Sequence, residues 1–293
     1  RKNTMSKKYK LGVALSGGGV KGFAHAGALK ALEEFGYKPD VISGTSAGAI
    51  AGVLYSAGYT PVEICDLFKN KGFTDFTRLT LPTAGFFNPH KFVDFLRSKI
   101  PYTNLEELPI PVHVVASDLD NGVMKVFSEG SLPERVMASS TVPIVFPPTV
   151  IDDVHYVDGG VFCNFPVEVI REECETVIGI NVSPLAPTQY KQNVIEIALR
   201  AFNFMFRANT KEDGLLCDIL VEMPRVLQYD MFDLESVPEI FELGYTETKK
   251  ILEHENIEFV SGEVTEINEE GEKITINLES TKSSSLIGYR GEI

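Results

Sequence analysis

Gly-Thr-Ser-Ala-Gly at 44–48 is set between a strand and a helix, and few folds can carry a chain through such a junction. Val41 and Ile42 read as the end of a short buried strand, and Ala47 to Tyr55 (Ala-Gly-Ala-Ile-Ala-Gly-Val-Leu-Tyr) reads as an apolar helix that begins at once. A chain that passes from strand to helix within two residues puts the residue between them on a sharp elbow, in a conformation that a β-carbon resists. Gly44 and Gly48 leave room for close strand–helix approach, so the Ser46 hydroxyl can project near the positive end of the helix dipole. A tight Gly-rich turn with a solvent-facing serine is the plainer alternative, and the placement between strand and helix argues against it.

The same unit occurs upstream. Leu11 to Leu15 is a strand-like run, Ser16-Gly17-Gly18-Gly19-Val20-Lys21-Gly22 follows, and a helix-like stretch runs from Phe23 to Phe35. Several backbone N–H groups at a helix N-terminus make an anion cradle. Gly17, Gly19 and Gly22 satisfy a Gly-x-Gly-x-x-Gly pattern with Asp40 downstream, so a phosphate fits this cradle. So does the oxyanion of a tetrahedral intermediate. A dinucleotide domain has no need of a nucleophile elbow after its second strand, which favours the oxyanion.

Further along, strands and helices alternate. The pattern predicts strands at 11–15, 40–43, 112–117, 123–127 and 177–182, and a last strand from Asp218 to Met223. It predicts helices at 23–35, 47–57, 61–70, 89–99, 133–138, 165–172 and 191–209, and a C-terminal helix from Val237 to Glu253. Apolar strands alternating with helices predict an α/β fold, a central and mostly parallel sheet wrapped by helices. From Phe259 the character changes. Val264, Ile267, Ile274, Ile276 and Leu278 sit among glutamates with Glu269-Glu270-Gly271 as a turn, which predicts a β-hairpin, and Ser283-Ser284-Ser285 reads as a tail. The expected division is a domain over residues 8–258 and an appendage over 259–293.

A nucleophilic serine needs a base. An α/β-hydrolase triad orders nucleophile, acid and then histidine. Of His25, His90, His113, His155 and His254 only His254 follows Asp158, and it lies in a charged helix end, where a solvated histidine is expected. His25, just past the glycine loop, is expected to brace that loop. Asp158 opens Asp-Gly-Gly at 158–160. Asp-Gly is a common turn signal by itself. Here His155-Tyr156-Val157 reads as a strand delivering the acid to a loop shaped by Pro143, Pro147 and Pro148, and Asn164-Phe165-Pro166 opens the next helix.

Gly-Gly-Gly-Val-Lys-Gly at 17–22, Gly-Thr-Ser-Ala-Gly at 44–48, Ala-Ser-Ser-Thr-Val-Pro-Ile-Val-Phe-Pro-Pro at 138–148 and Val-Asp-Gly-Gly-Val at 157–161 together resemble the ordered blocks of the patatin-like phospholipases, most closely their compact bacterial members. With weaker similarities at Val114 to Leu119 and Leu243-Gly244-Tyr245, the resemblance covers about residues 9–255. It implies esterase action on acyl glycerolipids or lysolipids without a metal or other cofactor. It assigns Ser46 as nucleophile, Asp158 as the second member of a dyad, and Gly17, Gly18 and Gly19 as oxyanion-hole amides. Gly44, Gly48, Gly159 and Gly160 are supporting positions. Lys21 stands where the family carries a basic residue, more often arginine; lysine keeps the charge and gives up the planar fork.

Composition adds boundaries. The chain has 293 residues, 44% of them hydrophobic and 23% charged, enough for one large core or a domain with an appendage. A net charge of −14 argues against nucleic acid as a partner and against strong attraction to anionic membranes. Lipid contact would then be local and apolar. Phe86-Phe87 and Phe202, Phe204, Met205 and Phe206 are candidates for a lid or interfacial patch, with core packing the commoner use of such residues. No apolar run reaches the length of a membrane span, and Lys7, Lys8 and Lys10 lead straight into a core strand, so a cytoplasmic enzyme with peripheral membrane contact is expected. Cys65, Cys163, Cys174 and Cys217 lie far apart and read as reduced thiols. Two other readings stay open: an acyltransferase using the same serine, and a lipid- or nucleotide-binding module without turnover. Head group, chain length and oligomeric state are not written in the motifs.

Overall fold

The computed structural model describes residues 7–69, 71–79, 87–184, 192, 194, 197, 198, 200, 201, 204, 210–231, 233–255, 257–260, 263–267 and 273–277. Strand β1 (Tyr9–Leu15) runs through the middle of an eight-stranded sheet, and its residues from Leu11 to Leu15 are all buried. A strand covered on both faces can be apolar throughout, as this one is. Parallel partners lie on both sides. The order is β10 (Ile219–Glu222), β9 (Cys174–Asn181), β1, β2 (Val41–Thr45) and β5 (Val112–Asp118), each parallel to the next.

Beyond β5 the sheet changes direction. β6 (Val123–Phe127) and β8 (Val154–Asp158) both pair antiparallel with β5, and β7 (Thr149–Ile151) pairs with β8. The α/β architecture with a mostly parallel sheet is therefore present, with an antiparallel margin that the alternating pattern did not announce. That margin rests on a tight hairpin whose central residues, Asp152 and Asp153, both have positive φ (51° and 61°). Such turns favour glycine or asparagine, so Asp-Asp gave a weak signal. A separate antiparallel pair joins β3 (Arg78–Leu79) and β4 (Phe87–Asn88).

Helices cover the sheet: α1 (Phe23–Glu34), α2 (Ala47–Ser56), α3 (Pro61–Asp66), α4 (Phe73–Phe76), α5 (His90–Lys99), α6 (Leu132–Ser139), α7 (Glu168–Arg171), α8 (Thr210–Gly214) and α9 (Val237–Glu255). α3 starts where its sequence says it should, with Pro61 in the first turn and Thr60 and Glu63 forming a capping box. It ends at Asp66, short of the expected 61–70, and Phe68 turns inward against the Phe23 and Phe76 rings. The helix expected over 165–172 is reduced to Glu168–Arg171, because the residues before it are held by bonds to other elements. Most of the helix expected over 191–209 lies outside the described residues.

A second, three-stranded antiparallel sheet consists of β11 (Ile257–Val260), β12 (Glu263–Ile267) and β13 (Lys273–Asn277). The expected hairpin corresponds to β12 and β13, and β11 adds a strand to it. The Glu269-Glu270-Gly271 turn, Leu278 and the serine stretch at 283–285 lie outside the described residues.

Strand register positions the site. Thr45 pairs with Val115, and Ala116 pairs with Asp158. Ser46, one residue past the end of β2, therefore leaves the sheet beside the row that holds Ala116 and Asp158. The parallel register Leu15↔Gly44 places the glycine loop on the neighbouring strand at the same end of the sheet, the carboxyl end where open α/β sheets hold their ligands.

Candidate active site

The elbow is present. Ser46 stands between β2 and α2 with φ 52° and ψ −117°, a conformation that L-residues rarely adopt. Its flanking glycines are small because backbone lies where side chains would go. A β-carbon on Gly48 would come within 2.6 Å of the Leu15 carbonyl carbon, and one on Gly44 within 2.6 Å of the Ala49 nitrogen. β1, β2 and α2 thus touch main chain to main chain around the serine.

The Ser46 hydroxyl lies close enough to the Asp158 carboxylate to lower its pKa. Asp158 is 2% exposed. Burial pushes its carboxyl up to about 6, and the Ser46 hydroxyl and the Gly160 amide hold it back from rising further. The Gly160 N–H donates to Asp158 Oδ1 at 2.8 Å, and the Asp158 N–H donates to the Thr141 carbonyl at 2.8 Å. Ser117 Oγ donates to the Asp158 carbonyl at 2.9 Å. Gly159 packs onto β5 so closely that a β-carbon would lie 2.7 Å from the Val115 carbonyl carbon and 3.0 Å from Thr45 Cγ2. The turn that carries the acid is thereby pressed onto the strands beside the serine.

Among the three glycines assigned to the oxyanion cradle, Gly17 needs a correction. Its N–H donates to the Asn164 carbonyl at 2.9 Å and is not free to receive an oxyanion. Gly17 is required for space instead: a β-carbon there would strike the Asn164 side chain and lie 3.4 Å from Ser46 Cβ. The amides of Gly18 and Gly19 take no part in the backbone bonds that fasten the loop, which use Ser16, Gly17 and Val20. Gly19 adopts φ +61°, and the Met231 carbonyl accepts the Val20 N–H at 2.8 Å, so the loop is held from both flanks. Lys21 is buried in the turn Gly19–Gly22 directly after these amides.

His25 braces this loop. The ring is fully buried, and its Nε2–H donates to the Ser16 carbonyl at 2.7 Å, since a carbonyl can only accept. Burial lowers its pKa to about 4, which leaves a neutral ring with little appetite for a proton. His254 falls in the last turn of α9, and its side chain lies outside the described residues.

Several site residues were not singled out in sequence. Ser139, at the end of α6, accepts the Ser46 N–H at 2.8 Å. Thr45 Oγ1 donates to the Cys163 carbonyl at 2.8 Å and Ser43 Oγ to the Pro166 carbonyl at 2.7 Å, tying the segment after Asp158 to β2. Their signal was the run Ala-Ser-Ser-Thr at 138–141 and the hydroxyls of Ser43 and Thr45 in an otherwise apolar strand. Hydroxyls in buried positions must be satisfied, and here they hold elements together.

Beside Ser46 opens a cavity of about 160 Å³, lined almost entirely by apolar side chains that include Phe23, Ile64, Phe68, Phe76 and Phe92. Phe76 stands edge-on to Phe92 and Phe95 with ring centroids 6.1 and 5.0 Å apart. Of the aromatics marked as lid or interface candidates, Phe204 is 48% exposed with Arg200 over its ring, while Phe86, Phe202, Met205 and Phe206, and the side chain of Phe87, lie outside the described residues. The four cysteines are free. No described helix is long and apolar enough to cross a membrane.

Residues 13–171 match the family model of the patatin-like phospholipases. The chain belongs to that family. An uncharacterised NTE family protein of Mycobacterium tuberculosis is 31% identical over 190 residues, which are 63% of this chain and 52% of that protein. Lysophospholipase NTE1 of Kluyveromyces lactis is 25% identical over 277 residues, covering 83% of this chain and 19% of its own length. The human patatin-like phospholipase domain-containing protein 6 is 33% identical over 181 residues, 59% of this chain and 13% of that protein. The patatin-like chain thus spans about half the length of the mycobacterial relative and a much smaller part of the two eukaryotic proteins. Among solved structures, VipD from Legionella pneumophila shares the fold, with a TM-score of 0.50 and 16% identity over 85% of this chain and 67% of that one.

Proposed function

We propose that this patatin-like chain is a serine acyl hydrolase that cleaves carboxylic esters of lipids or lysolipids through Ser46 and Asp158. One observation carries the reading: the hydroxyl of a residue on a strained elbow faces a buried carboxylate whose pKa is pushed up to about 6, at the edge of an apolar cavity. A neutral alcohol is a poor nucleophile unless a neighbouring group takes its proton. A carboxylate at about 6 is ionised at neutral pH and still basic enough for that task.

In this reading, Asp158 takes the hydroxyl proton as Ser46 Oγ attacks the ester carbonyl carbon. The amides of Gly18 and Gly19 receive the oxyanion, each such donor being worth roughly 10²–10³ in rate. Collapse of the tetrahedral adduct breaks the ester C–O bond, and protonated Asp158 returns its proton to the leaving alcohol. Water then enters, gives a proton to Asp158 and attacks the acyl-enzyme. The second adduct collapses to free acid, and the proton on Asp158 goes back to Ser46 Oγ. Every proton is held by a residue of this chain. The phenylalanine-lined cavity takes the acyl chain, which is consistent with a lipid substrate and with a family named for phospholipases. The hydrolytic unit ends with α9 at Glu255, and the three-stranded sheet that begins with β11 is an appendage to it, so the boundary expected at 258 moves to the start of β11.

The test is labelling with a fluorophosphonate probe together with hydrolysis of p-nitrophenyl esters, on wild type, Ser46→Ala and Asp158→Asn. Labelling should vanish in Ser46→Ala, and ester turnover should fall by about 10²–10⁴ in Asp158→Asn. A folded wild type that neither labels nor turns over any ester would sink the hydrolase reading.

A further inference from the structure

Ser46 holds a backbone conformation that side chains resist, and the first residues of a helix have no helical acceptor for their amides. The acceptor here is a side chain from another part of the fold. The Ser46 N–H donates to Ser139 Oγ at 2.8 Å, and the Ser139 hydroxyl spends its single proton on the Val115 carbonyl. Ser139 is fully buried, so water does not compete for either bond. Val115 is the β5 partner of Thr45, and its carbonyl lies under Gly159. One hydroxyl therefore ties the elbow to the strand on which the Asp158 turn is pressed. A hydroxyl at a helix end commonly bonds a carbonyl one turn back, as Thr141 Oγ1 does with the Met137 carbonyl at 2.8 Å while it also meets Thr149 Oγ1 at 2.7 Å. Ser139 instead reaches across to β2 and β5.

We propose that Ser139 is a positioning residue that holds the strained elbow in the one conformation where the Ser46 hydroxyl meets Asp158. The inference rests on the hydrolase reading and deepens it. Apart from burial, the groups that shift the Asp158 carboxyl are the Ser46 hydroxyl and the Gly160 amide, with no charged side chain contributing. If the elbow relaxes, the Ser46 hydroxyl moves away from the carboxylate, and one of the two groups holding the Asp158 pKa down goes with it. The effect of Ser139 should therefore be visible in the pH profile as well as in the rate.

Wild type, Ser139→Ala and Ser139→Thr are compared for fluorophosphonate labelling rate, kcat, KM, the pH dependence of kcat/KM, and Tm. In Ser139→Ala, labelling and kcat should drop by about 10- to 100-fold, the scale of a misplaced reacting group, with KM within about twofold. The acid limb should move above pH 6. Ser139→Thr keeps the hydroxyl and should recover both rate and limb. The proposal is overturned if Ser139→Ala, assayed below its melting temperature, labels at the wild-type rate with its limb unmoved. Should Ser139→Ala not fold, Ser139→Cys decides: slowed labelling with a raised limb supports the assignment, and wild-type labelling or failure to fold ends it. A wild type without labelling defeats the hydrolase reading itself, and that is seen before any variant is made.

Discussion

Asp158 is where burial does the most chemical work. Its carboxyl lies at about 6 in the folded chain and would return to about 4 on unfolding. In the proposed reaction Asp158 must be ionised to act as base, so kcat/KM should rise about tenfold per pH unit below 6 and level off above it, measured with a soluble ester. Stability runs the other way. Between those two values the folded chain binds a proton that the unfolded chain has lost, so the contribution is full below pH 4 and disappears as pH rises through 6. About two pH units at 1.36 kcal/mol each make the buried charge cost about 3 kcal/mol at pH 8. Asp158→Asn keeps the acceptor for Gly160 and carries no charge. It should therefore raise Tm at pH 8 and change it little at pH 4, by calorimetry, while activity is lost. A Tm gain of equal size at both pH values would contradict the raised pKa. Asp158 was legible as an acid on a turn, whereas its pKa depends on its burial and on the Ser46 hydroxyl, which only folding brings beside it.

Between elements, contact is often main chain to main chain. α1 and α9 cross where a β-carbon on Gly27 would lie 2.6 Å from the Tyr245 nitrogen and one on Gly244 would lie 2.6 Å from Ala24 Cα. In a helix interior, Gly→Ala ordinarily gains up to about 1 kcal/mol. Here the new methyl meets backbone that cannot move aside, and overpacking costs about 1–3 kcal/mol. The second effect wins, so Gly244→Ala should destabilise by about 1–2 kcal/mol in urea denaturation; a stabilised variant would show that the helices part easily. Because α1 begins directly after the glycine loop, labelling of Ser46 should slow as well. The elbow helix α2 and the loop before α1 were readable from strand, glycine and apolar run in succession. The β7–β8 hairpin was not, because Asp152-Asp153 is a weak turn signal and the hairpin is anchored by the pairing of β8 with β5.

At the scale of the whole chain, the apolar cavity beside Ser46 is built from many elements at once, with α1 supplying Phe23, α4 Phe76, α5 Phe92 and α6 Met137. Its volume, about 160 Å³, is close to that of an engineered apolar cavity of about 150 Å³ that admits benzene. Short to medium acyl chains should therefore be preferred, with turnover falling for long-chain p-nitrophenyl esters. Phe76→Leu opens the ring cluster and should move the optimum to longer chains, in a chain-length series; an unmoved optimum would mean that the acyl group lies elsewhere. None of this was visible along the chain, where the lining phenylalanines are scattered from 23 to 146. The glycine loop at 17–22, the serine at 46 and the acid at 158 could be found in the sequence because backbone conformation and small-residue packing constrain them locally. The tertiary structure alone decided which amide of the glycine loop is already taken, which hydroxyl holds the elbow, how far the acid's pKa rises and how large the cavity is. Those are properties of distances between segments that only folding brings together.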